Sequence, residues 1–354
     1  MPYAKSLLRI IDANLNRLGE GLRFLEEIAR FILNDTALTS ELKDLRHHFS
    51  PKDPVLKTAY LDARDSTTDI GPSVTLGTTE LPRSITQAIT ANARRVEESL
   101  RVLEELAKTN DAGLDGARLQ SARFAVYTLE KTLIGRLMRR DKVELTCGLH
   151  AIVDAASLGE RLPAEVTREM LQGGAKVIQL RDKQTLRHKL LDIALEIAEL
   201  CREYDALFIV NDALDIALAA SADGLHLGQD DLPVKVARKL MPIDRLIGCS
   251  VRSVAEAKQA QADGADYLGC GAIYATTTKQ DSAALGCPLL TQIKNEVDLP
   301  LIAIGGITTN NTAEILRSGA DGIAVVSAII AAASVKAATR DFIKALEVSR
   351  EPSK

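Results

Sequence analysis

Residues 148–183 read GLHAIVDAASLGERLPAEVTREMLQGGAKVIQLRDK. A short apolar run (148–153) gives way to a helix-length segment opened by Pro163, and a second apolar run (175–180) ends in a cluster of charges. Strands that read as continuous apolar runs, separated by helices, indicate a parallel sheet covered on both faces. The rhythm continues at 207–210 (LFIV), 223–227 (DGLHL), 245–249 (RLIGC), 266–270 (DYLGC), 300–304 (PLIAI) and 321–326 (DGIAVV). Eight strand–helix units within 145–350 predict a (β/α)8 TIM barrel. A doubly wound open sheet is the runner-up, but no GxGxxG follows the first strand.

In such a barrel the chemistry sits at the C-terminal strand ends. In order, these are Asp154; Gln179, Leu180, Arg181, Asp182 and Lys183; Asn211 and Asp212; His226 through Asp231; Ser250; Thr276, Thr277, Thr278 and Lys279; Gly305 and Gly306; and Val326 and Ser327. Bases, carboxylates, hydroxyls and glycines are the parts of a magnesium–phosphate site. Mg2+ takes one or two carboxylates plus phosphate oxygens, and Asp212 and Asp231 would be neighbours on the rim. Arg181, Lys183 and Lys279 can neutralise a diphosphate leaving group. Gly305-Gly306 and Val326-Ser327 follow the last two strands, where barrels bind phosphate through backbone N–H groups. Two anion sites in one pocket imply two phosphorylated substrates or one long one. Each element alone has a plain reading: Asn-Asp as a helix cap, Gly-Gly as close packing, His226 as a structural histidine. Their joint order around a barrel favours the site.

The first 140 residues are different. DANLNRLGEGLRFLEEIAR (12–30) aligns without gaps with TANARRVEESLRVLEELAK (90–108), with 10 of 19 positions identical. Among the pairs are Asn14/Asn92, Arg17/Arg95 and Glu20/Glu98, and the leucines recur at three and four residues. Each copy is an amphipathic helix followed by a second helical segment (38–49 and 116–138), so a small, mostly α-helical domain with an internal duplication precedes the barrel. Residues 50–82 join the pairs. They carry Arg64, Asp65 and Asp69, and read either as a holder for a metal–phosphate group or as a solvated crossover.

The chain has 354 residues and a net charge of −4. Residues 1–140 hold 21 basic and 19 acidic side chains, and 15 of those bases are Arg; the remainder holds 23 and 29. The acidic total and 3% aromatic content disfavour nucleic acid as a partner. Five scattered cysteines without CxxC, and no apolar run long enough for a signal peptide or a membrane span, point to reduced thiols and a cytoplasmic location.

QLRDK (179–183), ND (211–212), HLGQDD (226–231), TTTK (276–279), AIGGI (303–307) and AVVSA (324–328), in this order over about residues 147–345, resemble the thiamine-phosphate synthase family. The resemblance implies that hydroxymethylpyrimidine diphosphate is joined to a thiazole phosphate with release of pyrophosphate. It implies that Gln179 to Lys183, Asn211, Ser250 and Lys279 meet the pyrimidine diphosphate, and that Asp212 and Asp231 bind Mg2+. Thr276 to Thr278, Gly306, Val326 and Ser327 would meet the thiazole phosphate. A related barrel with an isomerase or regulatory role is the alternative. The family often carries Tyr where His150 stands and prolines where Ala272 and Ala275 stand.

The N-terminal repeats, with LRH (45–47) and ARDSTTDIG (63–71), resemble a hydroxymethylpyrimidine phosphate kinase domain fused to some of these synthases. That resemblance implies ATP as co-substrate, with Asn14, Arg17, Glu20, Arg64, Asp65, Asp69, Asn92 and Arg95 as candidate residues. No P-loop is present. The competing reading is an oligomerisation bundle, with a second copy of the chain as its partner.

Overall fold

The computed structural model describes residues 4–65, 84–109, 113–276 and 284–350. They form two compact units divided between Met138 and Arg139. Composition marks the change of character at 140–145, whereas the division falls inside one continuous helix, Gly116–Thr146.

The first unit contains α1 (Ala4–Glu27, extended by a wider turn over Ile28–Ile32), α2 (Thr36–Phe49), α3 (Pro54–Ala63), α4 (Ile85–Ala107) and the first part of α5 (Gly116–Thr146). The two repeats are α1 and α4, and they pack against each other. Leu18, Leu22 and Leu25 meet Ile89, Ala93, Val96, Leu100 and Leu103 in one core, joined by Leu42 and by Val126, Leu129 and Leu133. A Cβ at Gly21 would lie 2.6 Å from Val96 Cγ2, so glycine there permits the close helix crossing.

The identities between the repeats have structural causes. Glu26 is buried on α1 and accepts from Arg46 of α2 at 2.8 Å; its equivalent Glu104 on α4 accepts from Arg123 of α5 at 3.1 Å. Each copy therefore bolts its second helix through one buried glutamate. Asn14 and Asn92 each donate to the carbonyl four residues back, Ile10 at 2.8 Å and Ala88 at 2.9 Å.

Within residues 50–82, which the sequence reads either as a metal–phosphate holder or as a solvated crossover, 54–63 form α3. The start signal is local: Asp53 caps the Val55 N–H and Pro54 occupies the first turn. Tyr60 and Ala63 are buried beneath it. Arg64 then grips Asp12 through two bonds, of 2.6 and 3.0 Å, and the Asp65 carbonyl accepts from Arg9. Asp69 lies outside the described residues.

The second unit is a closed barrel of eight parallel strands, each paired with its successor and the last with the first. They are β1 (Leu149–Asp154), β2 (Val177–Arg181), β3 (Leu207–Asn211), β4 (Gly224–Leu227), β5 (Leu246–Val251), β6 (Tyr267–Gly271), β7 (Leu301–Ile304) and β8 (Gly322–Val325). Helices connect them, including a short one (Ser327–Ile330) after β8, and the helix Val335–Arg350 ends the chain's described part. One residue set of each strand packs outward against these helices, and the other fills the interior. Val143, on the last turns of α5, packs against the interior cluster that contains Val177, Leu207 and Leu246. Arg139 on the same turns is buried against Asp266 at 2.8 Å, and Lys142 reaches Asp223 at 3.1 Å.

All five thiols are free; Cys201, Cys249 and Cys270 are buried, and burial pushes them up to about 12, 11 and 12. Among the described residues no helix is long and apolar enough to cross a membrane.

Glu104 is buried, and without it Arg123 keeps the Tyr127 hydroxyl at 3.4 Å as a partner. Glu104→Ala should therefore speed amide hydrogen exchange across α4 and α5 of the full chain by about tenfold, whereas Glu105→Ala at the exposed neighbour should leave it within about twofold. Equal exchange in the two variants would show that the bolt carries no weight.

Candidate active site

The carboxyl ends of the strands surround a cavity of about 240 Å3. Its floor is apolar on one side, with Ile152, Ile302, Ile304 and Ala324, and polar on the other, with His150, Gln179, His226 and Tyr267. Burial pushes His150 down to about 4, so it is a neutral ring at physiological pH. It bonds the Thr146 carbonyl at 2.8 Å.

Strand alternation sorts the run 179–183. Gln179, Arg181 and Lys183 line the cavity. Leu180 instead packs in the outer core against the helices, and Asp182 turns to accept from the Gln184 and Thr185 N–H groups, both at 2.9 Å. The structure thus brings together the side chains of three of the five residues. Arg181 is held at the rim by Asp154 at 2.7 Å, and Asp154 also accepts from Ser157 at 2.8 Å.

Asn211 and Asp212 stand at the end of β3 beside the β4 loop. Asp212 adopts a left-handed backbone (φ 63°), with its N–H donating to the His226 carbonyl at 2.8 Å. Its carboxyl faces Asp231 and lies 3.1 Å from Lys183. Asp231 is fixed in turn by the Gly228 N–H at 2.8 Å. Burial and the facing Asp231 carboxyl push Asp212 above the usual carboxylate range. Burial also opposes charge on Asp231, but bonds from Asp212 and the Gly228 N–H hold it below that range.

Across the cavity, Gly305 and Gly306 both have left-handed backbones, at φ 96° and 65°. At Gly306 a side chain would be strained and would also crowd Tyr274 Cβ at 2.7 Å and the Ala275 carbonyl at 2.8 Å. Asn311 pins the turn by donating to the Gly306 carbonyl at 3.0 Å. Val326 and Ser327 line the same side, with Ser327 opening the short helix after β8, and Thr276 approaches from the β6 loop. Thr277, Thr278 and Lys279 lie outside the described residues.

Ser250 lines the cavity, 2.9 Å from His226 Nε2, a pairing that sequence spacing could not show. Reading only strand ends also missed Arg252 and Tyr267, which line the cavity too. Tyr267 starts its strand and reaches the cavity through its length. The available signal was glycine at the neighbouring inward positions 248 and 269, which leave room for a large ring.

The acidic pair suits a hard, oxygen-seeking cation that keeps positions for substrate oxygens. Among the described residues no cluster of three or more His, Cys, Asp or Glu forms a closed cage. In the first unit, Asn14, Arg64 and Asn92 are engaged within the fold as described above, while Arg17, Glu20 and Arg95 are exposed.

The thiamine monophosphate synthase family matches residues 149–329, and the ThiD2 family matches residues 9–132. A thiamine-phosphate synthase of Thermosynechococcus vestitus is 40% identical over 347 residues, 98% of this chain and 97% of that protein. One from Rhodopirellula baltica is 36% identical over 336 residues, covering 92% and 89%. The solved thiamine phosphate pyrophosphorylase of Pyrococcus furiosus is 40% identical with a TM-score of 0.55, covering 59% of this chain and 99% of that one. With the barrel and its rim in hand, these matches over nearly the whole length lead to one statement: the chain belongs to the thiamine-phosphate synthase family, transferases of thiamine biosynthesis.

Proposed function

We propose that the barrel joins 4-amino-2-methyl-5-hydroxymethylpyrimidine diphosphate to 4-methyl-5-(2-hydroxyethyl)thiazole phosphate, or its carboxylated form, giving thiamine phosphate and pyrophosphate. The observation that carries this is one cavity with a Lys–Asp–Asp cluster on one side and a Gly-Gly turn on the other. Arg181 and Lys183 would hold the diphosphate with Asn211, Ser250 and Lys279. Asp212 and Asp231 would hold Mg2+, which supplies positive charge to the departing diphosphate. The N–H groups at Gly306 and Ser327, with Thr276 to Thr278, would hold the thiazole phosphate.

The pyrimidine C–O bond breaks, and the diphosphate leaves with the bonding pair. The thiazole nitrogen then donates its lone pair to the cationic carbon. No protein nucleophile takes part. What the chain contributes is charge neutralisation at the leaving group and an apolar wall of Ile152, Ile302 and Ile304 that limits capture by water. The intact cationic side at Arg181 and Lys183 favours this reading over an isomerase or regulatory barrel.

We also propose that the N-terminal unit phosphorylates hydroxymethylpyrimidine phosphate from ATP, supplying the diphosphate. The ThiD2 match supports this, as do Arg17 and Arg95, which are identical in both repeats although exposed.

Incubating the full chain with both substrates and Mg2+ should yield thiamine phosphate; absence of product refutes the synthase reading. Asp212→Asn and Asp231→Asn should each lower kcat/KM by about a hundredfold or more, and full activity in both would overturn the metal assignment. Asp154→Ala frees Arg181 and should raise KM for the pyrimidine diphosphate about tenfold while leaving KM for the thiazole phosphate within about twofold. With ATP and the pyrimidine monophosphate, wild type should release ADP and Arg17→Ala/Arg95→Ala should not; no ADP from wild type leaves the unit an oligomerisation bundle.

A further inference from the structure

The turn that carries Gly305 and Gly306 is held from two directions. On one side the Tyr274 N–H donates to the Gly305 carbonyl at 3.1 Å, and the Ile273 N–H donates to the Ile304 carbonyl at 2.9 Å. On the other, the Asn311 amide donates to the Gly306 carbonyl at 3.0 Å and accepts from the Thr308 N–H at 2.8 Å. Tyr274 also packs against Gly306 itself, where an added Cβ would meet Tyr274 Cβ at 2.7 Å. The backbone before Tyr274 is tied in turn to the far end of its own loop. The Leu285 N–H donates to the Ala272 carbonyl at 2.8 Å, and the Gly286 N–H donates to the Ile273 carbonyl at 3.1 Å.

Side chains then join the two holders to each other. The Tyr274 hydroxyl lies 3.0 Å from Glu314 Oε2 and 3.3 Å from Cys287 Sγ. Glu314 stands in the first turn of the helix Thr312–Arg317, which Asn311 caps, and Cys287 is the first residue of the helix Cys287–Lys294. A carboxylate only accepts and a hydroxyl has one proton, so Tyr274 donates to Glu314 and its oxygen is left to accept from the thiol. The bonds close a circuit: the Tyr274 backbone, the Gly305-Gly306 turn, Asn311, the helix that follows it, Glu314, and back to the Tyr274 hydroxyl. Gly305 and Gly306 line the cavity, whereas Tyr274 and Glu314 do not. The circuit therefore acts on the cavity only through the turn it holds.

We propose that Tyr274 and Glu314 are positioning residues: their hydrogen bond sets the Gly305-Gly306 turn and so tunes the binding of a phosphate monoester on that side of the cavity. That this phosphate is the thiazole's rests on the synthase reading above. The brace itself rests on the closed circuit of bonds.

Tyr274→Phe removes only the hydroxyl and keeps the Cβ that packs against the turn. In the full chain with Mg2+, it should raise KM for the thiazole phosphate about tenfold and leave KM for the pyrimidine diphosphate within about twofold. Glu314→Ala should match it, whereas Glu314→Gln, whose carbonyl oxygen still accepts, should stay within about threefold of wild type. Tyr274→Phe/Glu314→Ala should be no worse than either single change, because both break the same bond. An equal rise in both KM values, or effects that multiply in the double variant, overturns the proposal. The Gly306 amide supplies a readout independent of turnover. In nitrogen-15 spectra of the full chain titrated with inorganic phosphate, half-saturation of the Gly306 shift should need about tenfold more phosphate in Tyr274→Phe than in wild type. Equal affinities, or no response at Gly306 in wild type, overturn the proposal. If wild type makes no thiamine phosphate while its Gly306 amide binds phosphate more tightly than that of Tyr274→Phe, the synthase reading falls and the brace stands.

Discussion

In a closed parallel barrel every strand delivers its carboxyl end to the same rim, because each backbone ladder runs in one direction and the last strand pairs with the first. Residues from 150 to 328 are thereby gathered around one cavity although about half the chain separates them. The most demanding consequence is at the β3 and β4 ends. Asp212 and Asp231 face each other in a half-buried setting, where two negative charges repel and burial disfavours both. Lys183 from the β2 loop, 3.1 Å from Asp212, offsets part of that repulsion. A divalent cation would offset more, so the fold builds a demand for positive charge where a diphosphate would leave.

The N-terminal unit solves a different problem by repetition. A short helix pair cannot bury its apolar stripe alone, and two copies packed through α1 and α4 make a shared core. The duplicated glutamates at 26 and 104 then fix each second helix through arginine, whose rigid fork suits a buried carboxylate better than lysine. Part of the arginine bias of the first 140 residues thus goes to ion pairs within the unit, at Arg46, Arg64 and Arg123. Exposed Arg17 and Arg95 are not explained this way, and they are where a ligand could be met.

The barrel was legible because its strands are continuous apolar runs with polar stops, and the same stops located Arg181, Lys183, Asp212, Asp231, Gly306 and Ser327. Finer placement needed the backbone. Alternation turns Leu180 and Asp182 away from the cavity, which a contiguous motif conceals. Tyr267 escaped because a long side chain reaches the site from the start of its strand. The Ser250–His226 pair joins residues 24 apart whose meeting depends on register between β4 and β5. Helix α3 escaped because a turn-rich composition outweighed a cap of two residues, Asp53 and Pro54.

The central claim is that one cavity holds two anions on opposite sides, with the metal on the acidic side. A crystal structure of the full chain with thiamine phosphate, pyrophosphate and Mg2+ tests it most directly. The account predicts pyrophosphate against Arg181 and Lys183, metal density on Asp212 and Asp231, and the thiamine phosphate's phosphoryl group at the Gly306 and Ser327 N–H groups. Both phosphates on one side of the cavity, or metal density away from the two aspartates, would contradict it.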